Sequence, residues 1–185
     1  MDGWLLLIYK IPSEPTRYRA AIWRKIKAMG AVYLQNSACV LPVNLKSERQ
    51  FRQLRREIES YGGEGYLIKG VFLGNEQQVV DMFNRARDEE YEEIIDRCRD
   101  FFKEIDKEIE RKHFTYAELE ENEEDLEKLK KWFDKVKERD FFNAGKMAST
   151  AEILEKCQEK LDEFGSYVFA SEDFMEEAAE VQDGK

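Results

Sequence analysis

Residues 4–9, Trp4-Leu5-Leu6-Leu7-Ile8-Tyr9, are apolar on consecutive positions, and this run constrains the fold more than any other stretch. A strand with one face in water alternates apolar and polar side chains; one that does not alternate has cover on both faces. Residues 4–11 therefore read as a central strand, which Pro12 closes. A central strand needs neighbours, and the next 60 residues supply them.

Residues 15–29 carry Tyr18, Ile22, Ile26 and Met29 at helical spacing, with Pro15 tolerated in the first turn and Gly30 in the stop position. Arg17 and Arg24 point away from that stripe, and Trp23 and Lys27 lie on a flank. Arg19 falls near the core edge, where a cation over the Trp23 indole or a buried ion pair would satisfy it in a structural role. Residues 31–35 and 38–41 are short strands turning at Asn36-Ser37. A second helix opens at Asn44 or Ser47, where Ser47 and Gln50 have capping-box spacing, and stops at Gly62-Gly63. Its inward stripe is Phe51, Leu54, Ile58 and Tyr61. Opposite lie Arg49, Arg52 and Arg56, with Arg55 on a flank. Residues 66–73 form the fourth strand.

Strand, helix, strand, strand, helix, strand is the ferredoxin-like split plan, an α+β domain over residues 1–74 with both helices on one side of an antiparallel sheet. The outer helix faces would then join into one basic surface. The opposite sheet face, with Val71 and Leu73, needs a cover, expected from a helical extension over residues 75–165. Asn75 and Gln78 cap a long helix reaching Lys112, and Thr115 and Glu118 cap a second that makes an antiparallel hairpin with it. Ser149 and Glu152 cap a third, ending near Phe164. Residues 166–185 read as an acidic, flexible tail.

The net charge of −10 hides a division: residues 1–74 hold 12 Lys and Arg against 6 Asp and Glu, the remainder 18 against 34. Phosphate is attracted to the first half and repelled by the second. Cys39, Cys98 and Cys157 have no paired spacing, which fits a reducing compartment and core packing. No apolar run reaches membrane length and no secretory signal opens the chain, so a cytoplasmic, non-membrane protein is expected. His113 has no histidine or cysteine at ligand spacing and reads as a helix-end residue, with no metal or other cofactor expected. Phosphate loops, nucleophile elbows and zinc-protease helices are missing, and the acidic pairs sit in solvated charge runs.

Trp4-Leu-Leu-Leu, Pro12, Arg19-x-x-x-Trp23-Arg24-x-Ile26-Lys27-x-x-Gly30-Ala31, Leu34 and Val40-Leu41-Pro42 resemble the N-terminal region of ChrB-type chromate-resistance proteins. A weaker likeness is to the ferredoxin-like domain of PaaX-type repressors and to small CRISPR-associated nucleases of the same plan. The resemblance implies a DNA-binding transcriptional regulator of a chromate-efflux operon, with the C-terminal sensing domain expected to be missing. The related nucleases carry a metal-binding Asp at the end of strand one; here Lys10 stands in that region and offers a positive charge to a cation, so no enzyme is expected. The DNA-binding residues are Arg17, Arg24, Lys27, Arg49, Arg52, Arg55 and Arg56, acting as a homodimer. Two alternatives stand beside this. One is a protein-interaction module, its arginines paired with Glu48, Glu57 or the acidic half; the other is a site for an oxyanion effector such as chromate.

Overall fold

The computed structural model describes the backbone of residues 3–183 and the side chains of residues 3–171. The elements run β1 (Trp4–Lys10), α1 (Thr16–Ala28), β2 (Val32–Gln35), β3 (Ala38–Pro42), α2 (Leu45–Ser60), β4 (Glu64–Gly70), α3 (Glu76–Arg111), α4 (Tyr116–Lys137) and α5 (Met147–Asp183). The four strands form one antiparallel sheet in the order β2-β3-β1-β4, so β1 is central as its unbroken apolar run requires. The protein is α+β, on the ferredoxin-like plan in its first part.

Two compact units make up the chain: Met1–Arg87 with Glu138–Ala144, and Asp88–Lys137 with Gly145–Lys185. The chain passes between them inside α3, after Arg87, and again on either side of residues 138–144.

Register fixes the faces of the sheet in the first unit. Leu5, Leu7 and Tyr9 of β1 pair with Lys69, Leu67 and Gly65 of β4, and Gly65 sits so close to Arg55 of α2 that a Cβ there would lie 2.9 Å from its Cγ. The Leu5–Leu7–Tyr9 face is thus the one α2 covers, where Phe51, Leu54 and Ile58 are buried. Helix α1 lies beside α2: Tyr18 stacks on Tyr61 with ring centroids 4.1 Å apart, while Ile22 and Ile26 are buried. At the end of α1, Gly30 has φ +78°, and a Cβ there would come within 2.7 Å of Arg139 Cβ.

The other sheet face is covered only at one end. Trp4 meets Phe72, Phe83 and Phe142 at 5.5, 5.8 and 5.8 Å, so the cover comes from the loop after β4, the first turns of α3 and residues 138–144. Further along, Ile8, Tyr66 and Ile68 remain 41%, 63% and 47% exposed, so the expectation that both faces of β1 are buried throughout holds at Trp4 and not at Ile8. Val71 and Leu73 lie beyond β4, exposed, and Phe72 between them turns inward.

In the second unit α3, α4 and α5 bury Tyr91, Ile94, Cys98 and Ile105; Leu119, Leu126 and Val136; and Leu154, Cys157, Leu161 and Phe164. Lys130 donates to Gln158 at 2.6 Å between α4 and α5, and Lys160 of α5 pairs with Asp106 of α3 at 3.1 Å. Three capping assignments sort out differently. Thr115 accepts from the Glu118 N–H through its hydroxyl at 3.3 Å, as its spacing indicated. Asn44, not Ser47, caps α2, its side chain accepting from the Ser47 N–H at 2.8 Å. Helix α5 opens two residues before Ser149, whose hydroxyl instead donates to the Lys146 carbonyl at 3.0 Å.

The expected end at Gly165 is absent. Helix α5 runs through that glycine because the apolar stripe continues to the buried Val168, and Phe114 packs on Tyr167 with centroids 5.3 Å apart. The acidic side chains of the expected tail from residue 172 onward lie outside the described residues. No helix among those described is long and apolar enough to cross a membrane.

Candidate nucleic-acid interface

The helix faces turned away from the sheet carry the basic residues singled out from the sequence. Arg17, Arg24 and Lys27 of α1 and Arg49, Arg52 and Arg56 of α2 are exposed, whereas Arg55 is half-buried against β4. Their local partners differ. Arg52 donates to Glu48 Oε1 through Nε at 2.9 Å and through Nη2 at 2.6 Å, one helical turn away, and Arg55 pairs with Glu59 at 3.1 Å. Arg17 places its guanidinium 5.2 Å from the centre of the Tyr18 ring. Arg24, Arg49 and Arg56 have no carboxylate partner among the described residues.

Glu48 and Glu57, the acids that could have neutralised the whole surface, are each engaged by one cation: Glu48 by Arg52 and Glu57 by Lys25. On α2 the residues Leu45, Glu48, Arg49, Arg52, Gln53 and Arg56 surround a shallow hollow of about 640 Å³. Three guanidiniums and one carboxylate give it net positive charge, and each free guanidinium presents a planar fork of donors suited to a phosphate. Its chemistry is that of hydrogen-bond donors and positive charge.

Arg19 departs from its expected place at the core edge. It is exposed, with Trp23 beside it on α1 at 53% exposure, and both line a groove of about 930 Å³ with Thr16, Tyr9, Tyr33 and the β2–β3 turn. No cation–ring contact joins Arg19 to Trp23 among the described residues. At the groove's inner wall the Tyr9 and Tyr33 hydroxyls are hydrogen-bonded at 2.9 Å, a pairing across strands β1 and β2 that only sheet register can reveal. Burial pushes both phenols above their ordinary range, so both remain protonated at neutral pH, one donating to the other. Lys10 is the last residue of β1 and is exposed.

A ferredoxin-like head that presents an arginine-rich helix pair, joined to helices rich in acid, defines the class: a two-unit α+β protein with a basic helix face. The family model described as "Protein ChrB, N-terminal" matches residues 19–175, and the chain belongs to this family. It is also 30% identical over 100 residues to Protein ChrB of Cupriavidus metallidurans strain CH34, an alignment that covers 54% of this chain and 28% of that protein's length. No solved structure matches the chain.

Proposed function

We propose that this chain is a non-enzymatic DNA-binding module of a transcriptional regulator, one that controls a chromate-efflux operon and acts as a homodimer. The observation that carries the reading is the set Arg24, Arg49 and Arg56, exposed on two adjacent helices and without a carboxylate partner among the described residues. Membership of the ChrB N-terminal family supports the regulatory context. Phosphate contacts of this kind position a protein on duplex without reading its sequence, so sequence preference would come from other residues or from two copies acting together.

Fluorescence anisotropy with a labelled duplex, at 50 and 200 mM salt, tests the reading. Binding is expected to weaken steeply between those concentrations, and the double substitution Arg49→Glu with Arg56→Glu to reduce affinity at least tenfold at the lower one. Equal duplex affinity for parent and double variant at 50 mM salt would remove the surface from consideration.

A further inference from the structure

The turn between α3 and α4 brings together three groups that lie five residues apart in sequence. Arg111 ends α3, Lys112 follows at φ +55°, and the His113 N–H reaches back to the Glu108 carbonyl at 3.0 Å. This backbone closure ends the helix and fixes the imidazole over the residue that accepted the bond. Glu108 therefore meets His113 twice, by backbone and by side chain, with Oε2 2.8 Å from Nδ1. Thr115 then caps α4 by accepting from the Glu118 N–H, which sets Glu118 in the first turn, its Oε1 3.5 Å from the same Nδ1.

We propose that Glu108, His113 and Glu118 form a divalent-metal site, and that Zn²⁺ is the ion it takes. The three donor atoms lie within 4.8 Å of one another. Zinc bound at ~2.1 Å to nitrogen and oxygen places neighbouring ligands of a tetrahedron about 3.4 Å apart: the 3.5 Å between the imidazole nitrogen and Glu118 matches this, and the 2.8 Å hydrogen bond to Glu108 would open by about half an ångström as the ion replaces the proton. Two carboxylates and one imidazole nitrogen are a donor set zinc accepts, and the half-exposed imidazole leaves solvent access for a water as fourth ligand.

Charge supplies an independent reason. The Glu108 side chain is only 6% exposed and that of Glu118 29%, yet both face one ring nitrogen, which can give a proton to one of them only. Arg111 approaches Glu108 at 3.5 Å from a mostly exposed position. Beyond the two carboxylates opens a hollow of about 650 Å³ between α3 and α4, edged by Asp100, Glu104, Glu121 and Asp125 against Arg97 and Lys128. A buried carboxylate opening into a cleft of one predominant sign concentrates cations. The site is separate from the basic face and does not depend on the DNA reading.

The test uses the full chain without an affinity tag, freed of metal with chelator and titrated with ZnCl2 by calorimetry. One equivalent is expected to bind, with the half-exposed His113→Ala and the part-exposed Glu118→Gln each weakening it at least tenfold, while Glu121→Gln at the edge of the hollow binds like the parent. Circular dichroism of the metal-free variants confirms that each is folded; Glu118→Gln decides if His113→Ala is not. Absence of one-equivalent binding, or binding that both His113→Ala and Glu118→Gln leave unchanged, overturns the site. The first result would leave the three side chains as a hydrogen-bonded helix end, and the second would place the metal elsewhere.

Discussion

The two carboxylate oxygens of Glu57 on α2 accept from Lys25 Nζ on α1 at 2.6 and 2.5 Å. The Tyr61 hydroxyl donates to the same carboxylate at 2.9 Å, and Tyr61 in turn stacks on Tyr18. This contact fastens the two helices of the head and engages one of the two acids that could have neutralised its basic surface. It thereby separates the cations that hold the fold from those left to a ligand.

Burial pushes the Glu57 carboxyl up, but the hydrogen bonds from Lys25 and Tyr61 outweigh it and hold the group below its usual range. A depressed carboxylate stabilises the fold above its unfolded pKa of about 4.3 and loses that contribution as pH falls through the lower folded value. Chemical denaturation of Glu57→Gln against the parent should show a deficit of about 0.2–1 kcal/mol at pH 7 that closes in this acid window. A deficit of the same size at pH 7 and at pH 3 would contradict the assignment.

Arginines that differ in local pairing should differ in binding. Arg56→Ala is expected to lower the slope of log affinity against log salt by ~1, as for one lost phosphate contact. Arg55→Ala should change the slope little, because its guanidinium is held by Glu59 beside β4. The reverse ranking would mean that another face meets the duplex.

Phe83 is buried and touches Trp4, Phe141 and Phe142, joining α3 to the covered end of the sheet. Phe83→Ala should cost about 3–5 kcal/mol by urea denaturation, the transfer and cavity cost of a lost core ring. Tyr66→Ala on the open end of the same face should cost well under that, and parity between the two would show that the patch is covered.

Gly30→Ala combines a left-handed backbone with a Cβ 2.7 Å from Arg139 Cβ and 2.9 Å from Arg87 Nη1. The backbone conformation alone should cost about 1–2 kcal/mol. A melting temperature equal to the parent's would show that the chain after α1 can rearrange.

Burial pushes the Cys39 thiol up to about 12, and its side chain is fully enclosed. A thiol-specific reagent at pH 8 should leave Cys39 unlabelled in the native chain and label it in denaturant, with the modified peptide identified by mass. Native labelling at the rate of a free thiol would refute its enclosure in the sheet.

Element type followed from local signals. Helical periodicity placed Ile22, Ile26, Phe51, Leu54 and Ile58 inward, and Thr115 at a helix cap, because both patterns are properties of one segment. Capping-box spacing alone misled at Ser47 and Ser149, where Asn44 caps one helix and the other starts earlier. Gly165 likewise stops nothing, since inward apolar residues continue beyond it. The outward position of Arg49 and Arg56 was legible from spacing; the local engagement of Arg52 and the inward lean of Arg55 depended on side-chain geometry.

What the sequence determined by itself was the βαββαβ order, the central place of β1 and the helix faces on which the arginines stand, because these depend on periodicities of 2.0 and 3.6 within contiguous residues. Only tertiary structure decided that Tyr9 would meet Tyr33, that Lys25 would take Glu57, and that Glu108 and Glu118 would converge on His113. Those pairings depend on strand register, helix packing and the way a turn closes. Each is a distance in space that separation along the chain does not encode.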